Sequence, residues 1–529
     1  MNRRYFLGLC AVLILLSAPS SGQMYGPQPN SFPTDDPVIR NIWSEAMDSS
    51  KLEILAHELL DVIGPRLVGS PNMKKAHDWA VATYATWGIP AKNEQWGMWR
   101  GWERGVTHID LIEPRVRTLE GTMLAWSPGT KRGGITARTI ILADVADSIA
   151  FLKWLSSVKG KFVLLSQPQP TGRPDKNWEE LGTKESFDRL KELRKKIADG
   201  WTERVRKTGF RADTLANIVE QAGASGVITN RWSQGWGVDK IFGTNARKVP
   251  VVDLSLEDYN LVYRLTESGK NPVVRIEADA RFLGEVPTFN TVAEIKGSEK
   301  PSEYVMLSAH FDSWDAGSGA TDNGTGTILM MEAARILKKY YPNPKRTILV
   351  GHWASEEQGL NGSRAYVKDH PEVAEKMQAL FNQDNGTGRI QSISAQGMME
   401  TGAFLARWLS RVPTDATKEV KLDLPGSPQG GGTDNASFVA AGAPAFNLGA
   451  APWDYFLYTW HTNRDTYDKL VFDDLKMNAV LTACLAYLAS EDPNFVPRDR
   501  RVMPMDARTG KQREWPPVRE PDRAGGLQK

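Results

Sequence analysis

The order of apolar and polar positions changes character near residue 290. From there to about 495, short apolar runs alternate with segments of helical spacing. The runs that indicate buried strands are EYVMLSA, RTILVGHWA, MQALFNQ and GAPAFNL. Strands that alternate with helices in this way are typical of a doubly wound α/β sheet. We therefore predict an α/β fold for this part of the chain.

Two earlier stretches have different patterns. Residues 52 to 84 carry apolar positions at helical spacing, interrupted by the loop GPRLVGSP. Between 120 and 285, runs such as KGKFVLLSQ, GASGVITN and KVPVVDLS indicate short strands, with one amphipathic helix from 187 to 205. We expect a β-rich domain at 120–285, without a catalytic cluster, inserted into one discontinuous domain formed by 38–119 and 286–495.

Both ends of the chain are expected to lie outside these domains. MNRR, the apolar run YFLGLCAVLILLSA and the small residues PSSGQ have the order of a secretory signal peptide at 1–22. The mature chain would then be secreted or periplasmic. An uncleaved membrane anchor is the alternative, although the run is shorter than the ~20 apolar residues of a span. The tail, 496–529, is rich in Arg, Pro and Asp, and we expect it to be flexible or loosely docked.

The charge balance and the cysteine content limit the classes of binding partner and the sources of stability. The 65 basic and 63 acidic residues give a net charge of +2, which provides no electrostatic basis for binding nucleic acid or an acidic membrane. Loss of the signal peptide would leave Cys484 as the single cysteine, so no internal disulfide could form. Stability would then come from packing or bound ions. The sequence leaves the oligomeric state open, a homodimer included.

Acidic residues and histidines directly follow the predicted strands. His310 and Asp312 follow the first strand, Glu356 and Glu357 the second, and Asp384 the third. Ligands of open α/β sheets bind at the carboxyl ends of the strands. We therefore expect these side chains to converge on one site.

The loop HFDSWDAGSGATDNGTG after the first strand has two interpretations, a phosphate cradle or a metal site. The sequence contains no G-x-x-x-x-G-K-[ST], and Asp312, Asp315 and Asp322 would repel a phosphate. The G-x-S-x-G motif of serine hydrolases is missing as well. Glycines let the backbone turn sharply and bring carboxylates together. We interpret the stretch as a metal-binding loop.

These motifs together resemble the two-zinc aminopeptidases, metallopeptidase family twenty-eight, and in particular its carboxypeptidase Q branch. The resemblance rests on H-x-D with a further Asp twelve residues after the His, A-x-E-E-x-G, a later Asp after a strand, and a late H-x-x-x-D-T. GPRLVGSP and GGGTDNASFVAAGAPAFNL also fit. The similarity covers roughly 38 to 490, and its motifs are specific jointly rather than singly.

The resemblance implies a zinc-exopeptidase type of fold, a doubly wound mixed sheet with helices on both faces. It also implies that the 120–285 region is an inserted protease-associated domain. Two Zn²⁺ ions would be bound, one by His310 and Asp384 and the other by Glu357 and His461. Asp322 would bridge them. Three carboxylates and one hydroxide would balance the four positive charges.

The resemblance also assigns roles around the metals. Glu356 would be the general base, and Asp312 and Asp465 would orient the histidine ligands. Some family members have a tyrosine directly before the last histidine, which stabilises the oxyanion. This sequence has Trp460 there, whose indole N–H could donate.

Other residues could take part in substrate binding. Tyr455, Tyr458 or a zinc ion alone could replace the missing phenol as oxyanion stabiliser. Thr433 and Asp434, together with Tyr458 and Trp460, are candidates for contacting the substrate. For Thr433 and Asp434 the alternative is a tight turn with a helix N-cap.

The expected function is that of a secreted zinc exopeptidase acting on dipeptides or on the N-terminal residue of short peptides. Whether it is a strict dipeptidase or a general aminopeptidase stays open. Two alternatives belong to other classes, a non-catalytic receptor or binding module on the same fold and an acyltransferase of the glutaminyl cyclase kind. The complete ligand set favours the peptidase.

Overall fold

The computed structural model describes residues 32–525, so the predicted signal peptide at 1–22 lies outside the described residues. The helices are α1 (Pro37–Asp48), α2 (Leu52–Ala56), α3 (Pro71–Thr86), α4 (Ser148–Trp154), α5 (Asp175–Leu181), α6 (Lys184–Lys207), α7 (Leu215–Gln221), α8 (Leu256–Glu267), α9 (Thr325–Tyr340), α10 (Asn361–Asp369), α11 (Pro371–Glu375), α12 (Thr401–Leu409), α13 (Thr414–Thr417), α14 (Asn435–Ala440), α15 (Tyr455–Tyr458) and α16 (Phe472–Glu491). The strands are β1 (Ala91–Glu113), β2 (Arg117–Thr118), β3 (Gly121–Met123), β4 (Ile135–Ile141), β5 (Phe162–Leu164), β6 (Gly226–Thr229), β7 (Val251–Leu254), β8 (Val273–Ile295), β9 (Lys300–His310), β10 (Arg346–Trp353), β11 (Met377–Asn382), β12 (Ile390–Ser394), β13 (Lys421–Asp423) and β14 (Ala445–Ala450).

One mixed sheet runs through the described part of the molecule. Its strand order is β13-β12-β14-β11-β9-β10-β8-β4-β5-β6-β7-β3, with β1 paired to β8 and to β2. Strands β14, β11, β9 and β10 are parallel neighbours, whereas β8 is antiparallel to β10. The predicted α/β fold with a mixed sheet is therefore confirmed.

Helices cover both faces of the sheet around β9. Successive strand residues point to opposite faces. Leu307 belongs to a core that includes residues of α9 and α16, whereas Met306 belongs to a second core that includes residues of α10 and α14. The strand is thus buried on both sides, as its continuous apolar run indicated.

The 120–285 segment combines helices with short parallel strands. Strands β4, β5, β6 and β7 are parallel neighbours, and β3 pairs antiparallel with β7. The expectation of a β-rich region needs correction, because β5 has only three residues whereas α6 has 24. Parallel strands need crossover connections, which are usually helices, and this requirement explains the helical content. Its interpretation as a protease-associated domain stays a prediction.

A long ribbon connects the 120–285 segment with the rest of the sheet. Strands β1 and β8 each have 23 residues and pair antiparallel along most of their length. The buried Trp96, Trp99 and Trp102 of β1 belong to one core with Leu67 before the ribbon and Phe162 of β5. The ribbon therefore joins the two parts through packing as well as through the chain.

The end of the chain follows the surface of the sheet domain. Within 496–525, Arg498 donates to the carbonyl oxygen of Gly442 over 3.1 Å, and Trp515 donates to that of Val439 over 2.9 Å. The described part of the predicted tail is thus docked in an irregular conformation.

The cysteine and the possible membrane spans can be compared with the sequence expectations within the described residues. Cys484, buried in α16, is a free thiol. None of the helices in residues 32–525 has the length and hydropathy of a membrane span.

Candidate metal centre

Three of the predicted ligands and the predicted base lie at the ends of three adjacent parallel strands. His310 is the last residue of β9, Glu356 and Glu357 follow β10, and Asp384 follows β11. Because β11, β9 and β10 are parallel neighbours, their carboxyl ends meet at one edge of the sheet.

Five side chains at this edge form two overlapping groups, and the candidate ligand atoms within each group lie within 4.8 Å of one another. In the first group, His310 Nε2 is 2.9 Å from Asp384 Oδ1 and 3.4 Å from Asp322 Oδ1. In the second, His461 Nε2 is 2.8 Å from Glu357 Oε2 and 3.4 Å from Asp322 Oδ2. Asp322 belongs to both groups and presents a different oxygen to each histidine.

The polar atoms of these groups fit a bound cation. Among the described residues, Asp322 Oδ2 and Glu357 Oε1 are buried without a hydrogen-bond partner. A buried carboxylate oxygen without a partner costs free energy, which a coordinated cation would offset. Imidazole nitrogens and carboxylate oxygens are ligands that Zn²⁺ accepts. The two groups therefore form a candidate metal centre.

Arg66 supports the loop that carries Asp322. Its buried guanidinium donates to the carbonyl oxygens of Phe311 (2.7 Å), Ser318 (2.7 Å), Gly319 (2.9 Å) and Gly64 (3.1 Å). Burial lowers the pKa of Arg66 to about 10, with nearby acidic groups opposing, so the side chain stays cationic at neutral pH. In the sequence, GPRLVGSP is recognisable as a loop that fits the family, but nothing in it indicates the role of this arginine.

Asp465 positions Asp322 rather than the ring of His461. Its carboxylate accepts hydrogen bonds from the Thr321 N–H and hydroxyl, both over 2.8 Å, and from the Asp322 N–H over 3.0 Å. His461 Nδ1 has no hydrogen-bond partner among the described residues. Burial raises the pKa of Asp465 to about 7, and these hydrogen bonds oppose the shift. The expected contact with His461 is therefore replaced by one with the shared carboxylate.

Asp312 contributes to the site through two different groups. Its carbonyl oxygen accepts a hydrogen bond from His310 Nδ1 over 2.9 Å, which leaves Nε2 of that ring free to coordinate a cation. Its carboxylate accepts from the backbone N–H groups of Glu356 (3.1 Å) and Glu357 (3.3 Å). Asp312 thus fixes the ring through the backbone and the two glutamates through its side chain.

Glu356 belongs to neither ligand group, although its neighbour Glu357 is part of the second. Burial raises its pKa well above the usual value, nearby Asp384, Glu357 and Asp434 act in the same direction, and His310 opposes them. A glutamate beside a metal site can take a proton from water and donate it later, and a raised pKa favours holding the proton between the two steps.

Aromatic residues surround His461, which has a left-handed backbone with a φ of 60°. The ring centroid of Trp460 is 4.0 Å from that of His461, that of Phe242 is 5.0 Å away, and that of Trp314 is 5.9 Å away. Non-glycine residues with positive φ are uncommon and are held by their surroundings. These rings provide the packing around the histidine.

Two tyrosines lie near the shared carboxylate. Burial opposes ionisation of Asp322, but hydrogen bonding and charge from His310, the charge of His461 and a hydrogen bond from Tyr455 together lower its pKa. Tyr455 and Tyr458 also line a cavity of about 440 Å³. Tyr455 is thus the tyrosine that reaches the ligands.

Lys240 of the 120–285 segment lies beside the same histidine. Its Nζ is 4.3 Å from the centroid of the Trp460 ring, and the side chain is largely buried. Burial lowers the pKa of Lys240 to about 8, and the charge of Asp322 opposes the shift. The expectation of no catalytic cluster in this segment overlooked the residue, since a single lysine in a loop gives no sequence signal.

Thr433 and Asp434 precede α14 and differ in their bonding. Thr433 Oγ1 accepts a hydrogen bond from Asn382 Nδ2 over 2.8 Å. Neither carboxylate oxygen of the buried Asp434 has a hydrogen-bond partner among the described residues, so it makes no N-capping bond. Burial raises the pKa of Asp434 to about 7, with the charge of His310 opposing.

Comparisons with known proteins agree with this geometry. The model of peptidase family M28 matches residues 290–486. Carboxypeptidase Q of Mus musculus is 28% identical over 442 residues, which cover 83% of this chain and 86% of the relative. Carboxypeptidase Q of Homo sapiens is 26% identical over 443 residues, which cover 83% and 85%.

Solved structures show the same similarity. The peptidase M28 precursor from Shewanella amazonensis matches with a TM-score of 0.65 and 26% identity, over 88% of this chain and 98% of that one. BSAP, a zinc aminopeptidase from Bacillus subtilis, shares the fold with a TM-score of 0.53 and 21% identity, over 83% and 94% of the two chains. Residues 290–486 thus match peptidase family M28, and most of the chain resembles carboxypeptidase Q in sequence and a peptidase M28 precursor in fold.

Proposed function

We propose that this chain is a zinc-dependent exopeptidase that hydrolyses dipeptides or removes the N-terminal residue of short peptides. One observation carries the proposal, the position of Glu356 beside two ligand groups that share Asp322. Relatives named carboxypeptidase Q and a structural neighbour named a zinc aminopeptidase support peptides as substrates and zinc as the metal. The signal peptide at 1–22 would direct the chain out of the cytoplasm.

The two groups would hold two Zn²⁺ ions. His310 and Asp384 would bind one, Glu357 and His461 the other, and Asp322 both. When bound, zinc lowers the pKa of water and polarises a peptide carbonyl. The three carboxylates would neutralise three of the four positive charges of the two ions. A hydroxide would neutralise the fourth.

Glu356 moves the proton in the proposed reaction. Its carboxylate takes a proton from the attacking water and later donates it to the leaving amine. The high pKa that burial gives Glu356 suits a group that must hold this proton between the two steps. The Asp312 carboxylate keeps Glu356 in place by accepting a hydrogen bond from its backbone N–H.

Substrate contacts are proposed for the walls of the site. The Tyr455 hydroxyl, close to Asp322, is better placed than Tyr458 to stabilise the oxyanion, in a chain that has Trp460 in place of the family's tyrosine. Thr433 and Asp434, with Tyr458 and Trp460, would line the pocket.

The other two function classes receive less support. A binding module would not need a base beside the ligands, and all six positions are present and converge. An acyltransferase of the glutaminyl cyclase kind would use one metal, whereas two groups of candidate ligands are formed.

The test compares wild type with Glu356→Gln on a panel of dipeptides, with metal content measured in parallel. We expect both proteins to bind two zinc ions per chain, and the variant to lose about 10²–10⁴-fold in kcat because the proton acceptor is gone. Glu299→Gln is the matched control, since Glu299 is exposed and directly precedes β9, at the end of the strand opposite to His310.

Two results would overturn the proposal. A wild type that binds zinc but cleaves no peptide of the panel would favour the binding module. An unchanged kcat in Glu356→Gln would place the base elsewhere.

A further inference from the structure

Two cations of the 120–285 segment lie next to the metal centre without a bonding partner. Neither the Lys240 ammonium nor the Arg231 guanidinium forms an ion pair or a side-chain hydrogen bond within residues 32–525. Lys240 is only 9% exposed. Lysines are rarely buried unless paired, because removing the charge from water costs free energy. An anion absent from the free protein would offset this cost.

The backbone fixes Lys240 relative to the metal ligands. Lys240 forms an antiparallel bridge with Thr462, next to the ligand His461. The Ile241 N–H donates to the carbonyl oxygen of His461 over 2.7 Å, and the Asn463 N–H donates to that of Asp239 over 3.1 Å. The lysine therefore belongs to the wall of the metal centre although it lies more than 200 positions before His461 in the sequence.

Aromatic rings hold both side chains close to His461. The Lys240 Nζ lies 4.3 Å from the centroid of the Trp460 ring, and the Arg231 Cζ lies 4.3 Å from that of Phe242. Both rings are themselves in contact with His461. Cation–π contact limits where the cations can point but leaves their N–H groups free to donate.

The two cations also distinguish the two ends of a short peptide. A short peptide carries an ammonium at its N-terminus and a carboxylate at its C-terminus. Lys240 and Arg231 attract the carboxylate and repel the ammonium, so the C-terminal side of a bound peptide is directed towards them.

On the basis of the proposed peptidase function, we propose that Lys240, assisted by Arg231, binds a carboxylate on the leaving side of the scissile bond. The 120–285 segment would then determine specificity. Peptides would be selected by an anionic group within one residue of the scissile bond. That group can be the terminal carboxylate of a dipeptide or an acidic side chain, and the substrates of the test separate the two.

The test measures kcat/KM for alanyl-alanine, for its C-terminal amide, and for alanyl-glutamic acid α-amide. Wild type is expected to favour the free acid over the neutral amide. In Lys240→Met this preference falls at least 10-fold, whereas Lys240→Arg keeps most of it because the charge remains. Lys270→Met, at an exposed lysine of the same segment, keeps the wild-type preference.

The outcomes distinguish failure of the Lys240 contact from failure of the proposed peptidase function. The inference is overturned if Lys240→Met leaves the preference unchanged, or if it lowers kcat equally for free acid and neutral amide. A Lys240-dependent gain for the glutamyl amide alone supports the same contact and identifies the side-chain carboxylate as the group.

A binding measurement in the Glu356→Gln background does not depend on turnover. Calorimetry with the zinc-loaded protein is expected to show tighter binding of alanyl-alanine than of its amide, and Lys240→Met should remove the difference. This binding difference, found together with a wild type that cleaves no peptide of the panel, would overturn the proposed function while upholding the contact. Equal binding of acid and amide would overturn the contact itself.

Discussion

Buried carboxylates occur at the metal centre and in the 120–285 segment, but their hydrogen bonding differs. Both oxygens of Asp253 accept a bond, Oδ1 from the Lys240 N–H over 3.3 Å and Oδ2 from the Thr229 hydroxyl over 2.9 Å. At the centre, Asp322 Oδ2 and Glu357 Oε1 accept none from the described part of the chain. Burial alone therefore does not identify a ligand. An unsatisfied acceptor that lies beside a histidine nitrogen does, because the two together imply a partner that the protein itself lacks.

The largest expected effect is on zinc affinity, and it distinguishes the unsatisfied carboxylate of Asp322 from the hydrogen-bonded carboxylate of Asp253. Asp322→Asn removes the carboxylate shared by both groups, and we expect zinc affinity to fall more than about 100-fold, beyond the usual effect of a residue behind the ligands. Asp253→Asn is expected to bind zinc as wild type does. Competition titration with a zinc-binding dye measures both. Equal affinities in the two variants would remove the basis of the comparison.

Two arginines hold the loop that carries Asp322. Their contributions to the free energy of unfolding are expected to differ. Arg66→Met leaves four buried carbonyl acceptors without their donor, so we expect a loss of about 3–5 kcal/mol in the free energy of unfolding, with weaker zinc binding. Arg104 of β1 forms a bidentate pair with Asp315 and is partly exposed. Arg104→Met should cost less, about 1–3 kcal/mol.

Urea unfolding of both arginine variants checks this order. A larger loss in Arg104→Met would mean that the ribbon, and not the Arg66 loop, holds the metal-binding loop in place.

The smallest expected effect is the contribution of Asp253 to the pH dependence of the free energy of unfolding. Burial raises its pKa to about 7, against hydrogen bonds from Thr229 and Lys240 and the charge of Arg231. The folded state thus binds a proton that the unfolded state has already released above pH ~4. Stability relative to Asp253→Asn should therefore fall by about 2 kcal/mol between pH 5 and pH 7, at roughly 1.4 kcal/mol per pH unit. Unfolding of both proteins at the two pH values measures it. A rise with pH would contradict the assignment.

The sequence predicted those parts of the site that follow directly from a strand. The apolar runs of β9, β10 and β11 end just before His310, Glu356 and Asp384, so the rule for strand ends places them together. The alternation of strand and helix likewise indicated the α/β fold. Local spacing is sufficient for such features, because each depends on one strand and the turn after it.

Contacts between distant parts of the chain were not predictable in this way. Arg66 reaches a carbonyl 245 positions later, and its own surroundings show only a turn. Lys240 reaches Trp460 through the pairing of two irregular loops. The helical content of the 120–285 segment was underestimated, since its short buried strands were more conspicuous than the crossovers that parallel pairing requires.

The ribbon of β1 and β8 has a consequence for recombination between proteins. Gly101 lies opposite Gly284 in its antiparallel register, and such partners are about 5 Å apart. A two-residue turn could join the two strands there. Residues 102–283 could then be exchanged for another unit through two junctions, both of which lie within the ribbon. Such an exchange would replace the wall beside His461 and keep every candidate zinc ligand.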